Sequence, residues 1–486
     1  MSTPSQLQLS AEEMRRLGYQ VIDQLVEHFE QLPGKPTTRL KLRAELEPRL
    51  SEPLPEAASD PDELLALLQR EVWSNIGHTN HPRFFAFIPA PSNFISVLAA
   101  ALTAGFNPFA GNWFEASGPA QIELVAMDWL RQLCGFPGTA GGHFVPSGSL
   151  ANLTALAVAR HAKLADKLEH AVIYYSDQTH SCVERALRLL GFKPNQLRNL
   201  PSDAQFRLPL AALQTAVSAD RAQGLKPFCV VANAGTTNTG AIDPLPELVE
   251  FCRAEQLWLH VDGAYGAAAV LCERGKQLLA GLEHADSLAL DPHKWLFQPY
   301  ETGVVLVREA HLLRETFFIL PAYLKDTVRE NAAEINFSDE GIQLTREFRA
   351  LKFWLSVKTF GLAAFRAAVE AGFEQAALAE RILRASTDWE VLTPPVLSVV
   401  VFRYAPAGLS EAQLNALNFQ LVQAAFDDGF AFVNSTTLQG RTVLRMCTIN
   451  PRTTAADIEA SLARLAQLGS QLADVLNNLS EGKRDE

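Results

Sequence analysis

Leu257-Trp258-Leu259-His260-Val261-Asp262-Gly263-Ala264-Tyr265 is the stretch on which the fold turns. Residues 257–261 are apolar at nearly every position, as in a strand buried on both faces, and the run ends in a carboxylate followed by small residues. Four further runs of this kind, at 171–175, 228–232, 287–290 and 304–307, lie between Gly141 and Arg308. Helical stretches such as 149–164 and 245–255 separate them. Alternation of this kind predicts an α/β fold with a mostly parallel central sheet and helices on both faces, whose ligands bind at the carboxyl ends of the strands.

Outward from this core the pattern changes on both sides. Ser10-x-x-Glu13 reads as a capping box before a helix over 14–32, and Asp60-Pro61-Asp62-Glu63 as the N-cap and acidic first turn of a helix over 64–73. A Pro-rich connector, 33–61, joins them. The apolar positions Val21, Ile22, Leu25, Val26 and Phe29 are too few to close a core, so they cover another surface, either of a subunit partner or of the same chain. Beyond Ser356 an Ala-rich helix (362–385), a strand (396–404), a helix (410–426), a strand (444–449) and a last helix from Ala455 form a small α+β ending. The division expected is therefore a helical N-terminal dimerisation segment, 1–93, a large domain, 94–355, and a small C-terminal domain, 356–486.

Composition excludes several classes of function. The 486 residues are 48% hydrophobic and carry a formal net charge of −12, which suits a globular protein and disfavours nucleic acid or an anionic membrane as partner. Six cysteines stand singly, without the spacing of a zinc site or a disulfide framework, so no metal is expected. Met1 to Ser10 lacks the signature of a secretory signal, and no apolar run reaches membrane-spanning length, so a cytoplasmic protein is expected.

Four positions carry chemistry. Lys294, in Asp291-Pro292-His293-Lys294-Trp295-Leu296, follows a short apolar strand where a partly desolvated amine can form a Schiff base. Asp262 ends its strand where a flat ring could lie against Ala264, although a turn-capping aspartate would look the same. Ser147-Gly148-Ser149 opens a helix whose free N–H groups favour a phosphate, although an ordinary N-cap uses the same residues. His180, in Asp177-Gln178-Thr179-His180-Ser181, brings an imidazole to the same edge. Together these are the protein groups that pyridoxal 5′-phosphate (PLP) requires.

With these residues the chain resembles the group II PLP-dependent amino acid decarboxylases, the family of aromatic-L-amino-acid decarboxylase, with the type I aminotransferase-like fold. In that family a serine and an apolar residue, then five residues, then a lysine mark the cofactor site, and Ser287-Leu288 stands at that spacing before Lys294. The resemblance implies that Lys294 carries PLP, Asp262 pairs with the pyridine nitrogen and His180 stacks on the ring, opposite Ala264. It also implies that Ser147, Gly148, Ser149 and His293 hold the phosphate and that Thr237 lies close to the cofactor. Tyr323, in Pro321-Ala322-Tyr323-Leu324-Lys325, resembles the family's proton donor, and 325–340 its lid. Tyrosine here, with His180, favours amine formation over the family's aldehyde synthases. A homodimer with active sites at the subunit interface follows from the same likeness.

Some positions depart from the family's pattern. Asp291 replaces a phosphate-binding asparagine and is assigned no phosphate contact, because a carboxylate there opposes a dianion. In the substrate-side segment 81–89, Phe87 and Pro89 are taken as substrate contacts, Phe87 standing for a tyrosine and Ile88 for a phenylalanine, while just before it Thr79 stands for a tryptophan. An apolar pocket of this kind suits an aromatic amino acid. If Arg83 instead reads a charged side chain, the substrate is glutamate, cysteine sulfinate or 2,4-diaminobutyrate; otherwise Arg83 is a surface charge with a packed stem. Arg346 either offsets negative charge near the lid or pairs with Glu347 or Glu340 on a helix surface. A non-catalytic binding protein on this fold would have little reason to hold Lys294, Asp262, His180 and Tyr323 together.

Overall fold

The computed structural model describes residues 7–319 and 334–481. The helix Ala11–Gln31 opens on the expected capping box: Ser10 Oγ accepts from the Glu13 N–H, and the Glu13 carboxylate from the Ser10 N–H, both at 3.2 Å. Asp60 caps Pro61–Leu67, its carboxylate accepting from the Asp62 N–H at 2.9 Å. The expected single helix over 64–73 is corrected in one respect. Past Leu67 the backbone widens into a π turn, Leu68–Val72, and then tightens into a 3₁₀ turn, Trp73–Asn75.

Seven strands form the large sheet: β1 (Gly141–Val145), β2 (Ala171–Ser176), β3 (Leu197–Leu200), β4 (Lys226–Asn233), β5 (Trp258–Asp262), β6 (Ser287–Leu290) and β7 (Gly303–Val307). Their spatial order is β1-β7-β6-β5-β4-β2-β3, and only β7 runs antiparallel to its neighbours. Two of them, β1 and β3, add to the runs visible in the sequence. Both faces are buried, and side chains alternate between two cores. Val230, Ala232, Leu259, Val261, Leu288 and Leu290 face one core, while Cys229, Val231, Trp258 and Ala289 face the other, with the helix Gly148–Leu164. By the same alternation His260 and Asp262 point toward that helix.

Four antiparallel strands, β8 (Trp389–Thr393), β9 (Val399–Tyr404), β10 (Asn434–Leu438) and β11 (Arg441–Cys447), make a second sheet in the order β10-β11-β9-β8. Val400, Phe402, Leu444 and Met446 pack under the helices Glu411–Asp428 and Ala455–Glu481, while Val399, Val401 and Cys447 join the core of the large sheet. The helix expected from 362 begins earlier, at Ala350, and runs to Arg384. Its one break is Gly361, whose φ of 74° is left-handed and natural only to glycine. Residue 356 therefore lies within a helix. Among the described residues, no helix is long and apolar enough to cross a membrane.

Candidate active site

The carboxyl ends of β1, β2, β4, β5 and β6 converge on one cavity of about 250 Å³. Ser147, Gly148 and Ser149 follow β1, His180 follows β2, and Thr237 follows β4. Asp262 ends β5 with Ala264 just beyond, and His293 and Lys294 follow β6; all nine line the cavity. A crossing order that returns the chain to the same edge after each helix is what gathers groups separated by more than a hundred residues.

Lys294 Nζ lies 2.9 Å from Asp291 Oδ2, and its side chain is 23% exposed. Burial alone lowers the pKa of this amine, but the carboxylates of Asp291 and Asp262 outweigh it and hold the value above that of an ordinary lysine. Asp262 is buried and accepts the Ala264 N–H at 3.1 Å. His180 Nδ1 accepts the Cys182 N–H at 3.3 Å, capping the helix Ser181–Leu189, so its proton sits on Nε2. Burial lowers the pKa of His180 against the pull of Asp262 and keeps the ring neutral. His293 is oriented from behind: its Nδ1 donates to Thr302 O at 2.7 Å, and Nε2 stands 3.7 Å from Asp291 Oδ2.

The helix Gly148–Leu164 aims its first N–H groups at this space, since the opening turn of a helix has no internal acceptors for them. Glycine at 148 is required by close approach. A Cβ there would come within 2.5 Å of Asp291 Oδ2 and 3.1 Å of Ala264 Cβ. The donor set fits PLP: an amine, a carboxylate deep in the cleft, a neutral imidazole and a helix N-terminus surround a space of one small ring and its phosphate. One feature resists, because the buried Asp291 faces the helix start and its Oδ1 has no hydrogen-bond partner among the described residues.

Other expected residues fall elsewhere. Phe87 and Pro89 do not line the cavity. Phe87 is 57% exposed with a left-handed φ of 57°, and packs edge-on against Phe432. It is nonetheless tied to the site: its N–H donates to Asn434 Oδ1 at 2.7 Å, Asn434 accepts from Arg445 at 3.0 Å, and Arg445 donates to the carbonyl of Thr237. Tyr323 lies outside the described residues, as do 325–333 of the expected lid. The remainder is anchored, with Phe337 buried and the Ser338 N–H on Gly111 O at 2.8 Å.

Both arginines left open by the sequence are structural. Arg83 donates to Phe430 O, to Pro33 O and to Asp457, and stacks on the Phe430 ring. Arg346 is buried, 2.6 Å from Glu123 Oε1, with further bonds to Ala110 O and Phe144 O, which corrects the surface pairing with Glu347 or Glu340. Asn152, Asn233, Cys182 and Tyr265 also line the cavity and were not singled out beforehand. Single polar or small residues inside a helix or strand give no signal in one sequence.

Comparison with known proteins agrees with this geometry. Residues 44–405 match the model of the pyridoxal-dependent decarboxylase conserved domain. The chain is 48% identical to the aromatic-L-amino-acid decarboxylase of Bacillus atrophaeus over 96% of its own length and 98% of the relative's. Its structure superposes on that of Oryza sativa TDC, solved with PLP and tryptamine, with a TM-score of 0.92 at 27% identity, covering 97% of this chain and all of the other. Catharanthus roseus tryptophan decarboxylase, solved in complex with L-tryptophan, gives 0.89 at 27% identity, covering 96% and 99%.

Proposed function

The chain belongs to the pyridoxal-dependent decarboxylase family, and on that premise we propose that it converts an aromatic L-amino acid (tryptophan, tyrosine, phenylalanine or DOPA) to its amine and CO₂. The observation that carries the aromatic reading is Arg83. With its guanidinium spent on two carbonyls, Asp457 and a phenyl ring, it is not available to a substrate carboxylate, and a buried carboxylate without a paired donor is costly. The activity of the Bacillus relative points the same way.

Bound PLP supplies the electron sink for the pair left when the bond from Cα to the carboxylate breaks. The protein's own groups do the rest. Lys294 provides the amine that anchors the cofactor, and must shed its proton to do so. Asp262 would pair with the ring nitrogen and favour its protonated form, which strengthens the sink. Neutral His180 and Ala264 would hold the ring from its two sides, and Ser147, Gly148, Ser149 and His293 would hold the phosphate. Orientation of the substrate carboxylate perpendicular to that plane selects the bond that breaks. Tyr323 would then deliver the proton to Cα, and the lid that follows it would exclude water.

We place this enzyme in the cytoplasm as a homodimer, with residues 1–93 as the dimerisation segment. Met14, Tyr19, Val21 and Val26 stay exposed on the helix Ala11–Gln31, as do Leu64 and Trp73, and an apolar cavity of about 360 Å³ separates the two helical segments. Such faces are covered when copies associate. All six cysteines are free and buried, which suits a reducing compartment.

The test is CO₂ release from a panel of L-amino acids. Turnover of one or more aromatic substrates is expected. Turnover of glutamate, cysteine sulfinate or 2,4-diaminobutyrate in their place would overturn the aromatic reading, and oxygen uptake with ammonia release would replace decarboxylation to the amine by aldehyde synthesis.

A further inference from the structure

Beneath the cavity runs a buried line of hydrogen bonds that the reaction above does not use. Trp258 Nε1 is 2.8 Å from Ser287 Oγ, Ser287 Oγ is 2.9 Å from His260 Nδ1, His260 Nε2 is 2.7 Å from Asn152 Oδ1, and Asn152 Nδ2 is 2.9 Å from Gly148 O. Ser287, His260 and Asn152 are fully buried. The line starts on strand β5, crosses to β6 and back, and ends on the first residue of the helix Gly148–Leu164.

Its two ends fix the direction of every bond between them. An indole N–H can only donate and a backbone carbonyl can only accept. From the carbonyl end, Asn152 gives an amide proton to Gly148 O and so presents Oδ1 to His260 Nε2; a neutral ring that donates there accepts at Nδ1, and Ser287 Oγ, which receives the Trp258 proton, turns its own toward Nδ1. With Nδ1 accepting, the imidazole proton stands on Nε2 and is given to Asn152 Oδ1. Asn152 is left with its amide protons, one on Gly148 O and another toward Cys182 Sγ at 3.5 Å. A second proton on His260 would leave the Ser287 hydroxyl without its acceptor, and burial keeps the ring neutral by lowering its pKa to about 4.

The last acceptor matters because of what it is bonded to. Gly148 C=O and the Ser149 N–H belong to one planar trans peptide unit and point in opposite directions. In a helix that starts at Gly148 this N–H is one of the free donors of the first turn, on the side where the cofactor's phosphate is read to sit, and the Asn152 amide adds a second donor to the carbonyl that the helix itself engages. We propose that His260 is a positioning residue for that phosphate, acting through Asn152 to fix the peptide unit between Gly148 and Ser149. This rests on the PLP reading of the site.

Cofactor-free protein is titrated with pyridoxal 5′-phosphate and, separately, with pyridoxal, which lacks the phosphate, and the visible absorption band is followed. In the wild type a preference for the phosphorylated ligand of at least about tenfold tests the phosphate cup itself, and its absence removes the premise. The line of hydrogen bonds is tested by the change in that preference. Asn152→Asp, which sets a carboxylate against Gly148 O, and His260→Phe are expected to reduce it roughly ten- to hundredfold, with pyridoxal affinity little altered. His260→Gln, which keeps a donor near the Nε2 position, recovers most of the preference, and Ser287→Ala, at the far end, loses the least. An unchanged preference in Asn152→Asp and His260→Phe overturns the proposal. So does an equal loss for both ligands, which would make the line a prop of the fold alone; should one of these two variants not fold, the other gives the reading, and a His260→Gln loss as large as that of His260→Phe also overturns it.

Discussion

At the carboxyl rim of the large sheet a cavity of about 250 Å³ gathers Lys294, Asp262, His180 and the start of the helix Gly148–Leu164, whereas at the amino rim a crevice of about 770 Å³ is lined by Lys163, Arg221, Lys226, Arg253 and Arg308, with Glu255 and Asp286 among them. The larger opening holds the stronger positive charge, yet the chemistry lies in the smaller one. The reason is the repeating unit. Each helix that returns the chain between parallel strands starts at the carboxyl rim and ends at the amino rim, so unpaired N–H groups collect at the first and unpaired carbonyls at the second. Lys163, Arg221 and Arg253 stand in the last turns of three such helices, where cations complement the negative end of the dipole. Lys163 donates to Gln256 O, Arg221 pairs with Glu255, and Arg308 donates to Ala285 O. Basic residues there finish the helices, while the carboxyl rim offers its N–H groups to a ligand.

The sharpest way to separate the rims is Lys294→Ala. Turnover should fall by about 10³-fold or more, since no neighbouring amine replaces the one that anchors the cofactor, while the cofactor-free protein still melts in one cooperative transition, its midpoint lowered only by the loss of Asp291's partner. Steady-state rates and a melting curve on the same preparation check this. Near-normal turnover would remove the carboxyl rim from the chemistry.

What the sequence disclosed differs between the rims in the same sense. Asp262 and Lys294 could be placed because each follows an apolar run long enough to mark a strand buried on both faces, and strand ends fix the edge of the sheet. The strands β3 and β10 escaped notice because Leu197-Arg198-Asn199-Leu200 and Asn434-Ser435-Thr436-Thr437-Leu438 lie at sheet edges, half exposed, where no continuous apolar run is needed. Arg346 could not be assigned because its partner, Glu123, is 223 positions away. A local likeness suggests Phe87 as a substrate contact, and where this loop residue points depends on Asn434 and Phe432 and on surfaces that one chain does not supply. The direction of the line through His260 needed the distances themselves.

The carboxyl rim also contains a buried acid, Asp243, whose carboxylate accepts the Leu208 and Asn233 N–H groups at 2.6 Å each and braces Asn233 at the cavity wall. Burial raises its pKa to about 6 against those donors. A carboxyl whose folded value lies above its unfolded value binds its proton more tightly in the folded state, so its contribution to stability is full below about pH 4 and is lost as pH rises to about 6. Asp243→Asn should remove that decline. Between pH 4 and 6.5 the wild type is expected to lose about 1–3 kcal/mol relative to the variant, measured by urea unfolding. Parallel pH profiles would show that the donors, rather than burial, set the proton affinity.

Asp291 should give a smaller effect and a kinetic one. Its carboxylate helps hold Lys294 protonated, and only the free amine can take up the cofactor's aldehyde. Asp291→Asn lowers the lysine pKa, raises the fraction of free amine at a given pH, and removes a negative charge facing the helix start. Both effects favour capture. The rate of PLP uptake at pH 7 should rise about tenfold for each unit by which the lysine pKa falls, and the pH profile of uptake should move to lower pH. Stopped-flow absorbance across the pH range decides this, and a profile left in place would mean that Asp291 turns away before the cofactor enters.

The smallest effect belongs to the amino rim. Arg253→Glu puts an anion in the last turn of the helix Leu245–Ala254, where the dipole is negative, and should cost about 0.3–1 kcal/mol of stability, less at high salt, with turnover unchanged. That pattern is what a helix-completing role requires, because dipole interactions at an exposed end are weak and screened. Inorganic phosphate supplies the opposing test. If phosphate raises the melting temperature of the Lys294→Ala protein, whose reaction is already lost, and Arg253→Glu in that background abolishes the rise, then the amino rim binds an anion in its own right. Both rims would then be anion sites, and helix polarity alone would no longer account for the difference between them.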